Sequence, residues 1–535
     1  MSVNLMSIPF EEHKWRFLFI ITGLIVGASG LMAVGEHSAI GQFGPLGKLP
    51  NPATTPEYHC QKALVPPGNG TYGPCIDTGD TTFMYTAASF VMIMTPGGVG
   101  FLYGGLTRRK NALTVILQNF LVYAIVSIQW VVYGYAIMFG PDATGNGFIG
   151  NFDWVGLNNV SHNAPSDVYA PSIPHLAYVM FQLMFAAITP ALAIAGYADR
   201  LKMSAFMIHV VLWTTFVYDF AGHWNWSLGA QGTKAGWLGA LGAEDFAGGT
   251  VIHITSGFAG LVTAMFLGRR LGYGKAPMEP HSIPLIILGT TLLWFGWFGF
   301  NPGSAGAAGF LSTQAFQNTN IATAVAAMWW LFLSWAHTGK TSAIGACSGA
   351  VAGLVAITPA SGFVGTYASI IIGFACATVC FYCLILKNRK KIDDALDTWP
   401  VHGMGGVVGA LLTGTFSETR INPAGHNGAF FGNPIQLAIN ATGAAAAAAW
   451  SFGITFVIWK VMDFVWPGGV RVTPREEEIG LDLAHLNFRL NSPIKWKQFN
   501  FRFSSLIQLS ILIKRKQLIE PLRAFHHWQI DGSYL

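Results

Sequence analysis

The chain reads as an all-α polytopic membrane protein. We expect eleven core transmembrane helices, built as a 5+5 inverted repeat plus an eleventh helix and preceded by an N-terminal signal peptide or signal anchor. Three observations predict this. The 535 residues are 52% hydrophobic and 10% charged, with a mean hydropathy of +0.45, whereas soluble domains carry roughly a quarter charged residues. Apolar stretches of about 20 residues, the length that crosses a bilayer, recur along the chain. Lysine and arginine gather in alternate loops. The net charge of +5 lies in short loops and the tail, which suits membrane topology and leaves no case for a nucleic-acid partner.

The N-terminal region comes first. Lys14 and Arg16 precede an apolar run from Phe17 to Val34, so residues 1–34 form a cleaved signal peptide or a retained anchor, with its positive end inside in either case. Residues 35–81 are rich in glycine and proline and make an extracytoplasmic segment. Cys60 and Cys75 share that segment and are a candidate disulfide if it faces an oxidising compartment. Cys347, Cys376, Cys380 and Cys383 lie in apolar spans, where cysteine behaves as a small hydrophobe.

The membrane domain, 82–466, holds the eleven spans at about 82–105, 112–139, 174–196, 203–220, 246–268, 283–301, 319–337, 342–358, 362–386, 400–415 and 436–464. If the first runs outside to inside, the inside loops hold Arg108, Arg109, Lys110, Arg200, Lys202, Arg269, Arg270, Lys275, Lys340, Lys387, Arg389, Lys390 and Lys391. The outside loops hold only Lys234 and Arg420. This positive-inside bias places the core N-terminus outside and the C-terminus in the cytoplasm, and requires an odd number of spans. Residues 467–535 are then a cytoplasmic tail.

Spans five and ten each bury one histidine in a glycine-rich run, Asp245-Phe-Ala-Gly-Gly-Thr-Val-Ile-His253 and Asp397-Thr-Trp-Pro-Val-His402-Gly. An ionisable group in an apolar helix is costly and faces an interior or a pathway. Five spans per half give the halves opposite orientations, which is the mark of an inverted repeat with its site at the interface. An acid precedes each histidine, by eight positions in one run and five in the other. Gly248, Gly249, Gly257 and the Gly405-x-x-x-Gly409 pattern permit close helix approach. Three readings of the pair stand side by side: structural histidines, a metal or bis-imidazole haem site, and a polar waypoint in an apolar conduit. No further Cys, His or carboxylate lies at ligand spacing in the same spans, which weighs against metal and haem. An imidazole donates, accepts and titrates near neutrality, which suits a small solute or its proton.

Aromatic residues surround the approach. Phe181 and Phe185 flank Gln182 on span three, Trp226 follows span four, and Trp297, Phe298 and Phe300 end span six. Most such residues are core or interface-belt residues. A tryptophan and a phenylalanine near a mouth, with the hydroxyl of Ser304, also make a site for a small cation through cation–π attraction. Asp245 is either a ligand carboxylate or, as we prefer, a structural cap on the free N–H groups of a helix start.

These stretches, with Gly104-Gly-Leu-Thr-Arg-Arg-Lys-Asn111, Trp130-Val-Val-Tyr-Gly-Tyr135, Gly296-Trp-Phe-Gly-Phe-Asn301, Gly303-Ser-Ala-Gly306, Gly345-Ala-Cys-Ser-Gly-Ala350 and Val401-His-Gly403, occur in the order found in ammonium transporters. Over residues 80–483 the chain resembles the Amt/Mep/Rh family, on its Amt/Mep side. The resemblance implies a homotrimer in the cell membrane, with one pore per protomer and ammonium or ammonia (methylammonium as analogue) as solute. It implies no enzymatic activity and no cofactor. Carried over by position, Trp226, Phe185 and Ser304 recruit the cation, with Trp224 as the competing match for the tryptophan. Phe185 and Phe300 gate, His253, His402 and Trp297 line the pore, and Asp245, Phe181 and Gln182 are structural near the site.

The resemblance also implies that Arg471–Asp482 is a tail coupling protomers and offering a site for a PII-type regulator. Residues 488–535 depart from the pattern, with an apolar run at Leu506–Ile513 too short to span. An interfacial helix on membrane lipid, a partner-binding tail and a disordered extension are the readings for it. An Rh-type passive channel for ammonia or carbon dioxide, an ammonium sensor using the same pore, and a redox membrane enzyme are the competing functions.

Overall fold

The computed structural model describes residues 60–61 and 76–486. The expected signal or anchor segment, the Cys60–Cys75 disulfide and the 488–535 extension lie outside the described residues. Nine helices among the described residues are long and apolar enough to cross a membrane. They are α1 (Thr78–Leu106), α2 (Arg109–Phe139), α3 (His175–Gly196), α4 (Met203–Trp226), α5 (Gly249–Leu267), α6 (Ile283–Gly303), α7 (Phe310–Thr338), α9 (Thr366–Arg389) and α11 (Pro434–Val465). Between them, α8 is the shorter apolar helix Ala343–Ile357. Helix α10 is a π-turn, Trp399–Gly403, continued by the α-helix Met404–Phe416.

Local chemistry sets the helix starts. Asp77 accepts the N–H of Asp80, Ser282 that of Leu285 and Ser342 that of Gly345, each satisfying a donor that a helix start leaves free. Two boundaries differ from the sequence expectation. Helix α4 continues to Trp226, so this tryptophan ends a helix and does not sit in a loop. Helix α7 starts at Phe310 rather than near 319, because its polar first turns are not solvent loop: Gln317 donates to Thr366 Oγ1 and Asn318 to the Ser361 and Val364 carbonyls.

Helix α3 is buried along almost its whole length and forms the inner wall. Helices α5 and α10 lie side by side in reciprocal fashion. The π-turn of α10 packs on α5, and the π-turn that opens α5, Gly249–Ile254, packs on α10. A Cβ at Gly257 would stand 2.1 Å from the Gly403 nitrogen, and one at Gly406 would stand 2.7 Å from the Gly249 oxygen. Each glycine comes four residues after a histidine. Only glycine permits either approach.

The face that carries the Arg/Lys-rich loops is closed by buried charges. Asp199 pairs with Arg108 at 2.8 Å and Arg270 at 3.2 Å; Asp393 pairs with Arg270 at 2.8 Å and Arg200 at 3.5 Å. Residues 470–482 lie across this network. Val472 N–H donates to the Arg200 carbonyl, Glu477 binds Arg471 and the Leu271 N–H, and Asp482 takes the N–H and hydroxyl of Thr114.

Candidate functional site

The site begins with a carboxylate. Asp245 accepts from Gly248 and Gly249 on one oxygen, at 2.8 and 2.7 Å, and from Thr250 and Val251 on the other, at 2.8 and 3.0 Å. Four N–H donors at a helix start are thereby satisfied by one side chain. Gly248, at φ +119°, makes the turn that lets the chain fold back over this carboxylate. The π-turn Gly249–Ile254 follows and carries His253 inward.

The second half repeats the device. Asp394 accepts the Trp399 N–H at 2.8 Å, and the π-turn Trp399–Gly403 carries His402. Asp394 stands eight residues before its histidine, as Asp245 does. Asp397, the acid five residues before His402 in the sequence, is therefore not the residue that caps this helix start. Asp397 is engaged by the Lys387 ammonium, which holds it away from the helix start. The eight-residue spacing was the signal in the sequence that identifies Asp394.

The two imidazoles meet at Nδ1–Nδ1 3.2 Å, with ring centres 5.3 Å apart and planes 26° from parallel. A hydrogen bond between two like nitrogens needs one to donate and the other to accept. The pair therefore holds one proton between its facing nitrogens, in opposite tautomers. A haem iron between them would need the nitrogens roughly 4 Å apart with a macrocycle between, which this contact does not allow.

From His253 a column of rings leads to the other face. Trp297 stacks on His253 at 5.4 Å, and Phe300 lies 6.3 Å from it. Phe185 stacks on Phe300 at 4.1 Å, and Trp226 meets the edge of Phe185 at 6.2 Å. Phe181 supports Phe185 at 4.8 Å. Ser304, partly exposed, donates its hydroxyl to the Phe300 carbonyl at 2.9 Å. Gln182 donates to the Tyr178 hydroxyl at 3.2 Å and stays behind this column.

Hydrogen bonds fix the column at both ends. The Trp226 indole N–H donates to the Asp245 carbonyl at 2.8 Å, so Asp245 ties the aromatic end to the histidine helix while capping it. The Trp297 indole donates to Thr358 at 2.9 Å, a positioning contact with no signal in the sequence because Thr358 belongs to a distant turn. Trp224 lies elsewhere. It donates to the Phe148 carbonyl and packs with Phe148, Trp237 and Trp450.

Comparisons with known proteins show the family of the chain. A family model described as the Ammonium Transporter Family matches residues 82–488. An ammonium transporter of Bacillus subtilis is 44% identical over 407 residues, covering 76% of this chain and 96% of its own length. Ammonium transporter Amt1 of Archaeoglobus fulgidus is 41% identical over 406 residues, covering 76% and 97%. The crystal structure of Saccharomyces cerevisiae Mep2 matches with a TM-score of 0.71 at 36% identity, covering 77% of this chain and 91% of that one. A solved sensor Amt protein matches with a TM-score of 0.69 at 29% identity, covering 76% and 98%. The chain belongs to the ammonium transporter family: it is a multi-pass membrane transporter, not an enzyme.

Proposed function

We propose that the ring column and the histidine pair are one conduction path. Ammonium is held at the end of the column by the π faces of Trp226 and Phe185 and the hydroxyl of Ser304. Phe185 and Phe300 part to admit it. The cation gives up its proton near the histidines, and ammonia passes His253 and His402. The proton crosses separately or returns. The observation that carries this reading is the single Nδ1–Nδ1 contact of 3.2 Å at the end of the column. A charge at the bilayer centre costs several kcal/mol or more, and one shared proton between two rings is no replacement for a hydration shell. Neutral ammonia avoids that cost.

The reading extends to the assembly. Helices α1–α11 are taken as eleven spans in two inverted halves, within a membrane domain 82–466 and a tail from 467. The basic face is taken as cytoplasmic, three copies form a trimer, and the tail is the contact for a PII-type regulator. The decisive experiment is a current measurement on solid-supported membranes with proteoliposomes, ammonium against potassium. Ammonium-specific current that disappears in His253→Ala and His402→Ala supports the path; wild-type current in both variants sinks it. The likeness to a sensor Amt protein supports the second reading, a sensor with the same pore, which predicts ammonium binding with no current. Uptake that saturates poorly and ignores Trp226 would instead favour a passive channel of the Rh type.

A further inference from the structure

The loop that follows α2 holds a carboxylate with no cation of its own among the described residues. The Asp142 side chain is wholly covered. Its Oδ1 accepts the Thr144 N–H at 3.3 Å and the Thr144 hydroxyl at 2.8 Å, while Oδ2 is buried with no hydrogen-bond partner. Its one ion-pair partner among the described residues is His223, whose Nε2 stands 3.8 Å from Oδ1. The neutral ring supplies no charge there. His223 Nδ1 lies 2.9 Å from the Met138 carbonyl, which can only accept, so Nδ1 carries the proton and Nε2 turns a lone pair toward the carboxylate. Nε2 is also buried without a partner. A covered carboxylate facing a lone pair is costly unless a cation joins it.

The residues around it add oxygens at a set spacing. Asp142-Ala-Thr144-Gly-Asn146-Gly147 puts side-chain oxygens at the first, third and fifth positions and glycine at the sixth, the spacing with which an EF-hand loop wraps calcium. The fold draws these oxygens together. Thr144 Oγ1 lies 2.8 Å from Asp142 Oδ1 and 2.5 Å from Asn146 Oδ1. One hydroxyl proton cannot serve two acceptors, so with the Asn146 amide oxygen turned inward three oxygens share a single proton. Gly147 turns the chain at φ +75°, and the Ala143 N–H closes the loop on the Ile149 carbonyl at 2.9 Å. Thr144, Gly145 and Asn146 are exposed, so water reaches the open side.

We propose that Asp142, Thr144 and Asn146 form a calcium site, with water filling the remaining coordination positions. Calcium takes oxygen ligands in a flexible geometry, and ligands on one such ion stand about 3 Å apart, so the Thr144 contacts need only a small widening. Magnesium demands near-ideal octahedral geometry and keeps its waters. Among the described residues no group of three or more His, Cys, Asp or Glu could hold a metal, which disfavours zinc. Two positions depart from a full EF-hand loop. The Phe148 carbonyl, at the seventh, accepts the Trp224 indole N–H at 2.9 Å, and Asp153, at the twelfth, is exposed and accepts the Asn151 amide at 2.8 Å. The site is therefore weak, half-saturated at about 0.1–1 mM, as in extracellular modules. Asp142 N–H donates to Thr233 Oγ1 and Trp237 N–H to the Gly147 carbonyl, so the ion fastens a loop already tied to the chain after α4.

The test is equilibrium dialysis of the full chain in non-ionic detergent, with radioactive calcium chloride as the probe. The wild type should bind one calcium per chain, saturably and with half-saturation at about 0.1–1 mM, and equimolar magnesium should not displace it. Asp142→Asn keeps the shape and removes the charge, and should weaken binding on the order of tenfold. Asn146→Leu, at an exposed position, should weaken it as well and keeps the test open if Asp142→Asn fails to fold. Asp153→Asn should leave binding unchanged. Calcium should raise the thermal midpoint of the wild type but not of Asp142→Asn. Absence of saturable binding overturns the site, and so does binding of equal strength in wild type, Asp142→Asn and Asn146→Leu. Displacement by equimolar magnesium overturns the choice of ion, and a loss in Asp153→Asn overturns the ligand set.

Discussion

The two histidine half-sites share a plan and differ in how firmly they are built. In the first, all four donors at the start of α5 converge on Asp245, and both its oxygens are used. In the second, Asp394 takes the Trp399 N–H on one oxygen, while its other oxygen has no hydrogen-bond partner. The first carboxylate is a self-contained cap. The second stands inside an ionic neighbourhood: Lys387 donates to the Asp394 carbonyl and to Asp397, and Asp393 bridges Arg200 and Arg270. One imidazole is thus fixed by its own helix start. The other is fixed through the charges of the basic face.

The strongest test of that contrast removes the rings themselves. His253→Ala and His402→Ala should each lower ammonium current on the order of a hundredfold, the scale of a lost proton-transfer group, because either deletion leaves the remaining ring without its partner. Unequal losses would show that the halves do not share one proton. Next are the caps. Asp245→Ala leaves four donors without an acceptor and should cost about 4 kcal/mol, whereas Asp394→Ala should cost about 2 kcal/mol. Thermal unfolding in detergent reads the order, and equal shifts would erase the distinction drawn here.

At the far end of the column, Trp226→Leu should raise the half-saturation concentration about tenfold, from lost cation–π attraction. Trp224→Leu should leave it unchanged while lowering stability. The reverse result would move the recruitment site to Trp224. The smallest effect concerns pH. Burial alone would push the Asp393 carboxyl up, but hydrogen bonds from Arg270 and the charges of Arg200 and Arg270 hold it below the usual value. A depressed carboxylate contributes stability above its unfolded pKa and loses it as pH falls through the folded one. Acidification below about pH 4 should therefore lower stability, and Asp393→Asn should flatten that slope. A slope that survives the substitution would assign the acid sensitivity elsewhere.

Much of this was legible in the residues. Apolar runs and loop charges located the membrane helices, because hydrocarbon demands one residue type for each span. Two histidines in glycine-rich spans stood out because nothing else ionisable shares those helices. The rings of Phe185, Trp226, Trp297 and Phe300 and their order toward the pair were implied by the resemblance; the distances between them were not, since those depend on how α3, α4 and α6 pack. Asp394 lay among three acids, Asp393, Asp394 and Asp397, and only its eight-residue spacing to His402, matching that of Asp245 to His253, set it apart. Thr358 had no local pattern, because its partner Trp297 is supplied by another helix.

The π-turns that carry His253 and His402 have a consequence for the gene. Each is a helix turn with one residue more than α-geometry needs. Deleting a single codon in the stretch Gly249–Val251 would remove both the extra residue of the turn and one of the N–H donors that Asp245 accepts. The capped start and the imidazole would lose their eight-residue spacing, although Asp245 and His253 themselves would still be encoded. An in-frame deletion in this turn should therefore be as severe as losing the histidine.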